Sequence, residues 1–367
     1  EEELKIAKNE NYTEYFDKSY VIINDPKTGE ILAMAGKQIV KNENGEYKIY
    51  DYTPGVITSS VTPGSIVKGA SHIVGYNNGS LKIGEVRNDA CIKIAATPLK
   101  CSFREYGNID DIEALKYSSN TYQFLTAINV GGGKYTYNKA LVIDEKAFDT
   151  YRNTFKEFGL GIKTGIDLPN ESLGYQGTNR LSGLLLDFSI GQYDTYTPIQ
   201  IAQYMSTIAN DGVRIQPYLL KAVFDSSEES LTKVIYETEV KELNKVDTES
   251  KYLDRVQEGF KQVIAPGGTG SGYIDYGYNA AGGLKEGIID GVTYAISEGL
   301  PAKANQNYAK YRERYEEVVI AERVYLTAEE HTFIVKGDGY VFANYAGIRK
   351  SDAFEVKSVR TADGEEI

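Results

Sequence analysis

Residues 62–70 read Thr-Pro-Gly-Ser-Ile-Val-Lys-Gly-Ala, and this stretch constrains the chain more than any other. Pro63 fixes one backbone angle and Gly64 frees the next, so the chain turns just before Ser65. A helix opening at Ser65 puts Lys68 one turn on, on the same face, about 5–6 Å away between Cβ atoms. A serine hydroxyl is a weak nucleophile until a neighbouring base takes its proton. A helix start adds free N–H groups and a dipole that favours a developing oxyanion. Serine and lysine at this spacing also occur on solvated helix faces, so the tetrapeptide alone decides nothing.

Composition narrows the chemistry. Among 367 residues there are two histidines, His72 and His331, so a Ser-His-Asp arrangement is poorly supplied and a serine nucleophile would use lysine. The formal charge of −12 argues against a nucleic-acid partner and against a polybasic membrane face. Cys91 and Cys101 are too few for a disulfide scaffold or a metal site; they pair across a hairpin or stand as two buried thiols. No run of about 18 apolar residues marks a membrane span, and no cofactor or metal motif stands out. Ala265 to Gly272 is glycine-rich but lacks the lysine and helix of a phosphate cradle.

Taken in order, Ser19 to Met34 reads as a hairpin turning at Asp25-Pro-Lys-Thr-Gly29. Lys41 to Lys48 reads as a surface loop, and the Ser65 helix as running to about Tyr76. Lys82 to Cys101 suggests two short strands in a lobe of their own. Asp110 or Asp111 caps the next helix, with Ser118-Ser-Asn120 at its end or in the turn after it. Phe148 to Phe158 is helical; Thr197 caps a helix whose first residue is Pro198 and whose body ends at Ala209. Leu219 to Phe224 and Lys233 to Glu237 are strands, and Ser250 to Val263 is a further amphipathic helix. Asn305 to Val319 carries a charged helical pattern, and Thr327-Ala-Glu-Glu330 caps another helix. Helices and strands interleave without a repeat, which suits an α+β fold.

Ser65-x-x-Lys68 followed by Ser118-x-Asn120 is far more specific than either pair alone. Here the chain resembles the penicillin-interacting serine acyltransferases, and the transpeptidase domain of class B penicillin-binding proteins in particular. Asp25-Pro-Lys-Thr-Gly-Glu-Ile-Leu-Ala-Met, Phe158-Gly-Leu-Gly161, Ile190-Gly191-Gln192 and Thr197-Pro198 look like landmarks of the same family. The resemblance runs from about Ser19 to Gly282. It implies an antiparallel sheet flanked by helices, with an all-helical lobe. Residues 1–282 are then the transpeptidase domain; 283–367 are unassigned, being pedestal or linker pieces or an altered C-terminal part of the same domain.

The resemblance also implies roles. Ser65 would attack the D-Ala–D-Ala carbonyl of a peptidoglycan stem peptide, and Lys68 would be the general base. Ser118 would relay a proton to the leaving amine, and Asn120 would orient Lys68 and bind substrate backbone. A second stem peptide would resolve the acyl-enzyme into a cross-link, and β-lactam antibiotics would acylate Ser65. The implied setting is the extracytoplasmic face of the cell membrane, on an anchor helix not in this chain, with a membrane glycosyltransferase of the wall machinery as partner. One part departs from the pattern. Lys163-Thr-Gly165 falls upstream of where the family's third motif, K-T-G, belongs, in a loop context the family also has. The expected place reads Gly283-Leu-Lys285-Glu286-Gly287. Lys285 is the remaining candidate to bind the substrate carboxylate, with Glu286 adding a repelling charge beside it. Two other readings follow: a catalytically impaired scaffold lacking K-T-G, and a hydrolase, for which Glu171 is the nearest candidate water-activating base.

Overall fold

The computed structural model describes residues 4, 16–225 and 234–271, and the strands at 284–289, 292–297, 334–335 and 360–361. The chain divides into two compact units, Glu1–Lys261 and Gln262–Ile367.

The first unit opens on a three-stranded antiparallel sheet in sequence order: β1 (Lys18–Asn24), β2 (Ile31–Lys41) and β3 (Tyr47–Asp51). The β1–β2 turn is the one expected from Asp25 to Gly29. The Asp25 carboxylate accepts from the Lys27 and Thr28 N–H groups, and Gly29 takes φ +81°, a conformation glycine adopts without a Cβ penalty. The stretch expected to be a loop after Lys41 is instead a second hairpin. Its tip is confined to residues 42–46, with the Asn42 side chain accepting from Asn44 and Glu46 N–H. Behind the sheet lie a short turn of helix α1 (Gly55–Thr58) and α7 (Pro198–Ala209), with Ile31, Val56, Ile57, Ile166 and Ile199 forming a small core.

The larger core belongs to the helical lobe. Its axis is α2 (Lys68–Asn77), every residue of which from Lys68 to Tyr76 is buried. Around it pack α4 (Asn120–Val130) and α5 (Lys146–Glu157), and α6 (Ser182–Ser189) packs on both of these. Phe148, Tyr151, Phe155 and Phe188 supply the aromatic centre. The α3 helix (Asp111–Lys116) starts with a reciprocal cap: Asp110 accepts from the Glu113 N–H, and Glu113 accepts from that of Asp110. Thr197 and Gln200 make the same pairing at the start of α7, with Pro198 in the first helical position as expected. Helix α8 (Ser250–Ile264) covers the lobe through Leu253 and Val256.

Short two-stranded ribbons complete this unit. The strand β4 (Arg87–Asp89) pairs with β5 (Gly107–Ile109), which lies beyond Cys101 and outside the stretch expected to form both strands. Within the lobe so formed, Ile92 and Lys100 bridge, and Cys91 and Cys101 are joined as a disulfide. The ribbon β6 (Val213–Ile215) pairs with β9 (Glu242–Lys245), and β7 (Ala222–Phe224) with β8 (Val234–Glu237).

In the second unit β10 (Leu284–Ile289) and β11 (Val292–Ser297) form an antiparallel hairpin, and β12 (Ile334–Val335) pairs in parallel with β13 (Arg360–Thr361). The helices expected at Asn305 to Val319 and after Thr327 fall outside the described residues. None of the described helices is long and apolar enough to cross a membrane.

Candidate active site

Ser65 lies in a four-residue 3-10 turn, Gly64–Val67, that runs directly into α2 at Lys68. Side chains three apart eclipse in such a turn, so exposed Ser65 and buried Lys68 share a face. Two devices hold the turn. Gly64 donates its N–H to the Gly191 carbonyl at 3.0 Å. Gly191 has φ +77°, and a Cβ there would run into the Gly64 carbonyl oxygen, so glycine is required for both conformation and space. The second device is Tyr204 on α7. Its hydroxyl donates to the Ile66 carbonyl (2.8 Å) and accepts from the Ala70 N–H (3.2 Å). Those two groups would otherwise bond each other in a regular helix, so the tyrosine is inserted in the ladder where the 3-10 turn meets the α-helix. Ser71 further ties α2 to α6 by donating to the Ser189 carbonyl at 2.7 Å.

Lys68 is 1% exposed and reaches the turn between α3 and α4. Its Nζ lies 2.6 Å from the Ser118 carbonyl, 2.7 Å from Asn120 Oδ1 and 3.0 Å from Ser118 Oγ. Ser118 takes φ +52°, a left-handed conformation uncommon for serine. Burial lowers the Lys68 amine from an ordinary 10.5 to about 7, against the raising pull of the Asp89 carboxylate. A neutral amine has two N–H bonds and one lone pair. The Ser118 carbonyl and Asn120 Oδ1 only accept, so they take the two hydrogens and leave the lone pair for a hydroxyl. A base prepared in this way can take a proton from a serine near neutral pH.

Asn120 is held from the other side. Its Nδ2 donates to the Cys101 carbonyl at 3.1 Å, and its backbone N–H donates to Ser102 Oγ at 2.9 Å. His72, one turn beyond Lys68, contacts the Lys68 and Asp111 carbonyls and Gln123 Nε2. Burial lowers its pKa to about 4, so it is a neutral core residue at physiological pH.

The structure thus brings Lys68, Ser118 and Asn120 into contact, with Ser65 one turn ahead of the lysine. Lys285 is in the other compact unit, on β10 opposite Ile296. The Lys163-Thr-Gly165 loop is committed elsewhere: the Thr164 hydroxyl and N–H both donate to Glu171 Oε1, at 2.6 and 2.7 Å. That engagement gives Glu171 a structural task in closing the loop. Sequence reasoning missed Tyr204, Asp89 and Ser102, whose partners are far away in the chain and leave no local pattern.

A family model described as penicillin binding protein transpeptidase domain matches residues 19–289, and the chain belongs to that family. It is 42% identical over 370 residues to penicillin-binding protein 2A of Bacillus subtilis (strain 168), covering 99% of this chain and 51% of that protein. It is 40% identical over 253 residues to penicillin-binding protein H of the same organism, covering 68% of this chain and 35% of that protein. The chain therefore spans about half of the first relative and about a third of the second. Among solved structures, penicillin-binding protein 2B of Streptococcus pneumoniae (strain R6) superposes with TM-score 0.66 at 31% identity, covering 77% of this chain and 49% of that one. The α+β transpeptidase fold inferred from the motifs is the fold of these relatives.

Proposed function

We propose that the protein is a peptidoglycan D,D-transpeptidase that works through an acyl-enzyme on Ser65 and is inhibited by β-lactams. The observation that carries this is the Lys68 amine, buried and held by Ser118 and Asn120 with its pKa lowered to about 7. As Ser65 Oγ forms a bond to the penultimate D-Ala carbonyl carbon, its proton passes to Lys68. Collapse of the tetrahedral intermediate breaks the C–N bond, and the proton reaches the departing D-Ala amine through Ser118. An amine from a second stem peptide then attacks the ester, forms the cross-link and returns Ser65 to its hydroxyl form. Asn120 keeps the lysine aimed and hydrogen-bonds substrate backbone. Lys285 is the candidate for the donor's terminal carboxylate.

The preserved base and relay favour an enzyme over a catalytically impaired scaffold. The engagement of Glu171 with Thr164 weighs against its activating water as a hydrolase would require. Alignment with penicillin-binding protein 2A over 99% of the chain supports reading residues 283–367 as a stretch that this relative also has, the transpeptidase family model itself ending at residue 289. By analogy with the family, the working protein is anchored in the cell membrane, faces the wall and partners a membrane glycosyltransferase.

The test is a donor peptide ending in D-Ala–D-Ala, supplied with an amine acceptor. Release of D-Ala with transfer to the acceptor, abolished in Ser65→Ala, is the expected result. Absence of both release and transfer in the wild-type protein would reject the proposal; release with water as the sole acceptor would favour the hydrolase.

A further inference from the structure

Behind the Ser118–Asn120 turn lies a buried carboxylate that has no part in the proposed proton transfers. Asp89, at the end of β4, is 1% exposed. Its Oδ1 accepts from the hydroxyls of Ser119 (2.5 Å) and Ser102 (2.7 Å), and its Oδ2 from the Tyr106 N–H (3.2 Å). None of these donors is charged. Ser119 in turn caps α4 by accepting from the Tyr122 N–H at 2.9 Å. Ser102, its own hydrogen committed to Asp89, accepts from the N–H groups of Asn120 (2.9 Å) and Thr121 (3.2 Å). The Cys101 carbonyl, next in the chain, receives Asn120 Nδ2, and the Cys91–Cys101 disulfide closes the loop that presents both groups.

We infer that Asp89 and Ser102 are positioning residues for the acylation machinery: Ser102 registers Asn120 against Lys68, and Asp89 fixes Ser102 and Ser119 while setting the charge that the lysine feels. The geometry gives each a distinct job. Ser102 and Cys101 grip Asn120 by its backbone and its amide nitrogen, which leaves Oδ1 to face Lys68 and excludes the flipped amide. Asp89 supplies negative charge behind that turn, and the Lys68 amine is the buried base it acts on.

Among the described residues, the other charged or titratable groups on the neighbouring elements are neutral or paired. On its own helix, His72 is neutral. From α3, Asp111 is paired with Arg255 of α8. From β4, Arg87 bonds Glu85. From α7, Tyr204 keeps its proton because burial raises its pKa.

The inference rests on the proposed roles of Lys68 and Asn120, so its test includes a reading that needs no acylation. Protein carrying 13C-labelled lysine is titrated by NMR, the Lys68 signal being assigned by its loss in Lys68→Met. In Asp89→Asn the Lys68 midpoint is expected below that of wild type, because removing a negative charge disfavours the ammonium form. Labelling by a fluorescent penicillin is followed in parallel. Ser102→Ala is expected to label about five- to tenfold more slowly than wild type, and Ser102→Thr, which keeps the hydroxyl, to recover most of that loss. An unchanged Lys68 midpoint in Asp89→Asn, or wild-type labelling by Ser102→Ala, would overturn the inference. If Asp89→Asn fails to fold, the Ser102 pair decides. If wild-type protein does not label at all, the proposed function fails and the titration still decides whether Asp89 sets the lysine.

Discussion

Replacing Lys68 by methionine separates the lysine's chemical role from its cost to the fold. The native amine titrates at about 7 against an ordinary 10.5, so the unfolded chain binds a proton that the native state has lost between those values. The sign follows from linkage: a group whose folded pKa is depressed penalises folding fully below the folded value. The penalty fades as pH rises and vanishes above the unfolded value. Between about pH 7 and about pH 9 this shrinkage comes to about 2 kcal/mol. Methionine carries no such proton. It also abandons the contacts with the Ser118 carbonyl and Asn120 Oδ1, a loss that changes little with pH above neutrality. The stability of Lys68→Met relative to wild type should therefore fall by about 2 kcal/mol from about pH 7 to about pH 9, while penicillin labelling is lost at both. Urea unfolding of both proteins at the two pH values measures this directly. A relative stability of Lys68→Met that stays flat, or rises with pH, would refute the idea that the buried amine is neutral near physiological pH.

Other perturbations have equally definite outcomes. Gly191→Ala should push Gly64 away and misplace Ser65, slowing penicillin acylation at least about tenfold in a stopped-flow assay; wild-type kinetics would contradict that packing. Tyr204→Phe removes the hydroxyl inserted between Ile66 and Ala70, and should cost about 1 kcal/mol in denaturant titrations as well as slowing acylation. Asp111, with its side chain fully buried, takes a bidentate pair from Arg255 and a hydrogen bond from Tyr76. Burial alone would raise its pKa, but these partners outweigh burial and hold the pKa below the ordinary 3.8. Breaking the pair with Arg255→Ala should cost about 3–5 kcal/mol. The pair's pH-dependent contribution should persist above the ordinary carboxylate range and disappear only as pH falls through the depressed native value, seen as a wild-type-minus-variant difference in acid melts. Ser118→Gly should stabilise the fold by about 1 kcal/mol by relieving the left-handed serine, yet slow transfer of the acyl group through loss of the hydroxyl.

The sequence was most legible where a local rule fixes a local shape. Thr197-Pro198 gave the start of α7 because cap and proline both demand it, and Asp110 or Asp111 as a cap marked the start of α3, where the structure uses Asp110 with Glu113. The Ser65–Lys68 and Ser118–Asn120 pairs were legible as spaced motifs, and their contact across fifty residues followed from the family resemblance. What escaped was set at long range or lacked punctuation. The α6 helix has Leu184 to Leu186 as a continuous apolar run and no side-chain cap at Leu181, so no periodicity marks it. The β3 strand is mostly exposed and polar, which reads as loop until β2 is there to pair with it. Tyr204 acts on groups 134 and 138 residues away, and Asp89 on hydroxyls 13 and 30 residues away. Cys91 and Cys101 were compatible with a bridge or two thiols; the Ile92–Lys100 bridge that brings them together appears only in the fold.

The central claim is that Ser65 accepts the acyl group with Lys68 as its base. The most direct measurement is the mass of the protein after incubation with a penicillin, followed by fragmentation to locate the adduct. The expected result is a single penicilloyl addition on the peptide carrying Ser65, forming faster as pH rises through about 7 and absent from Ser65→Ala. No addition at saturating penicillin, or an addition on any other residue, would contradict the account.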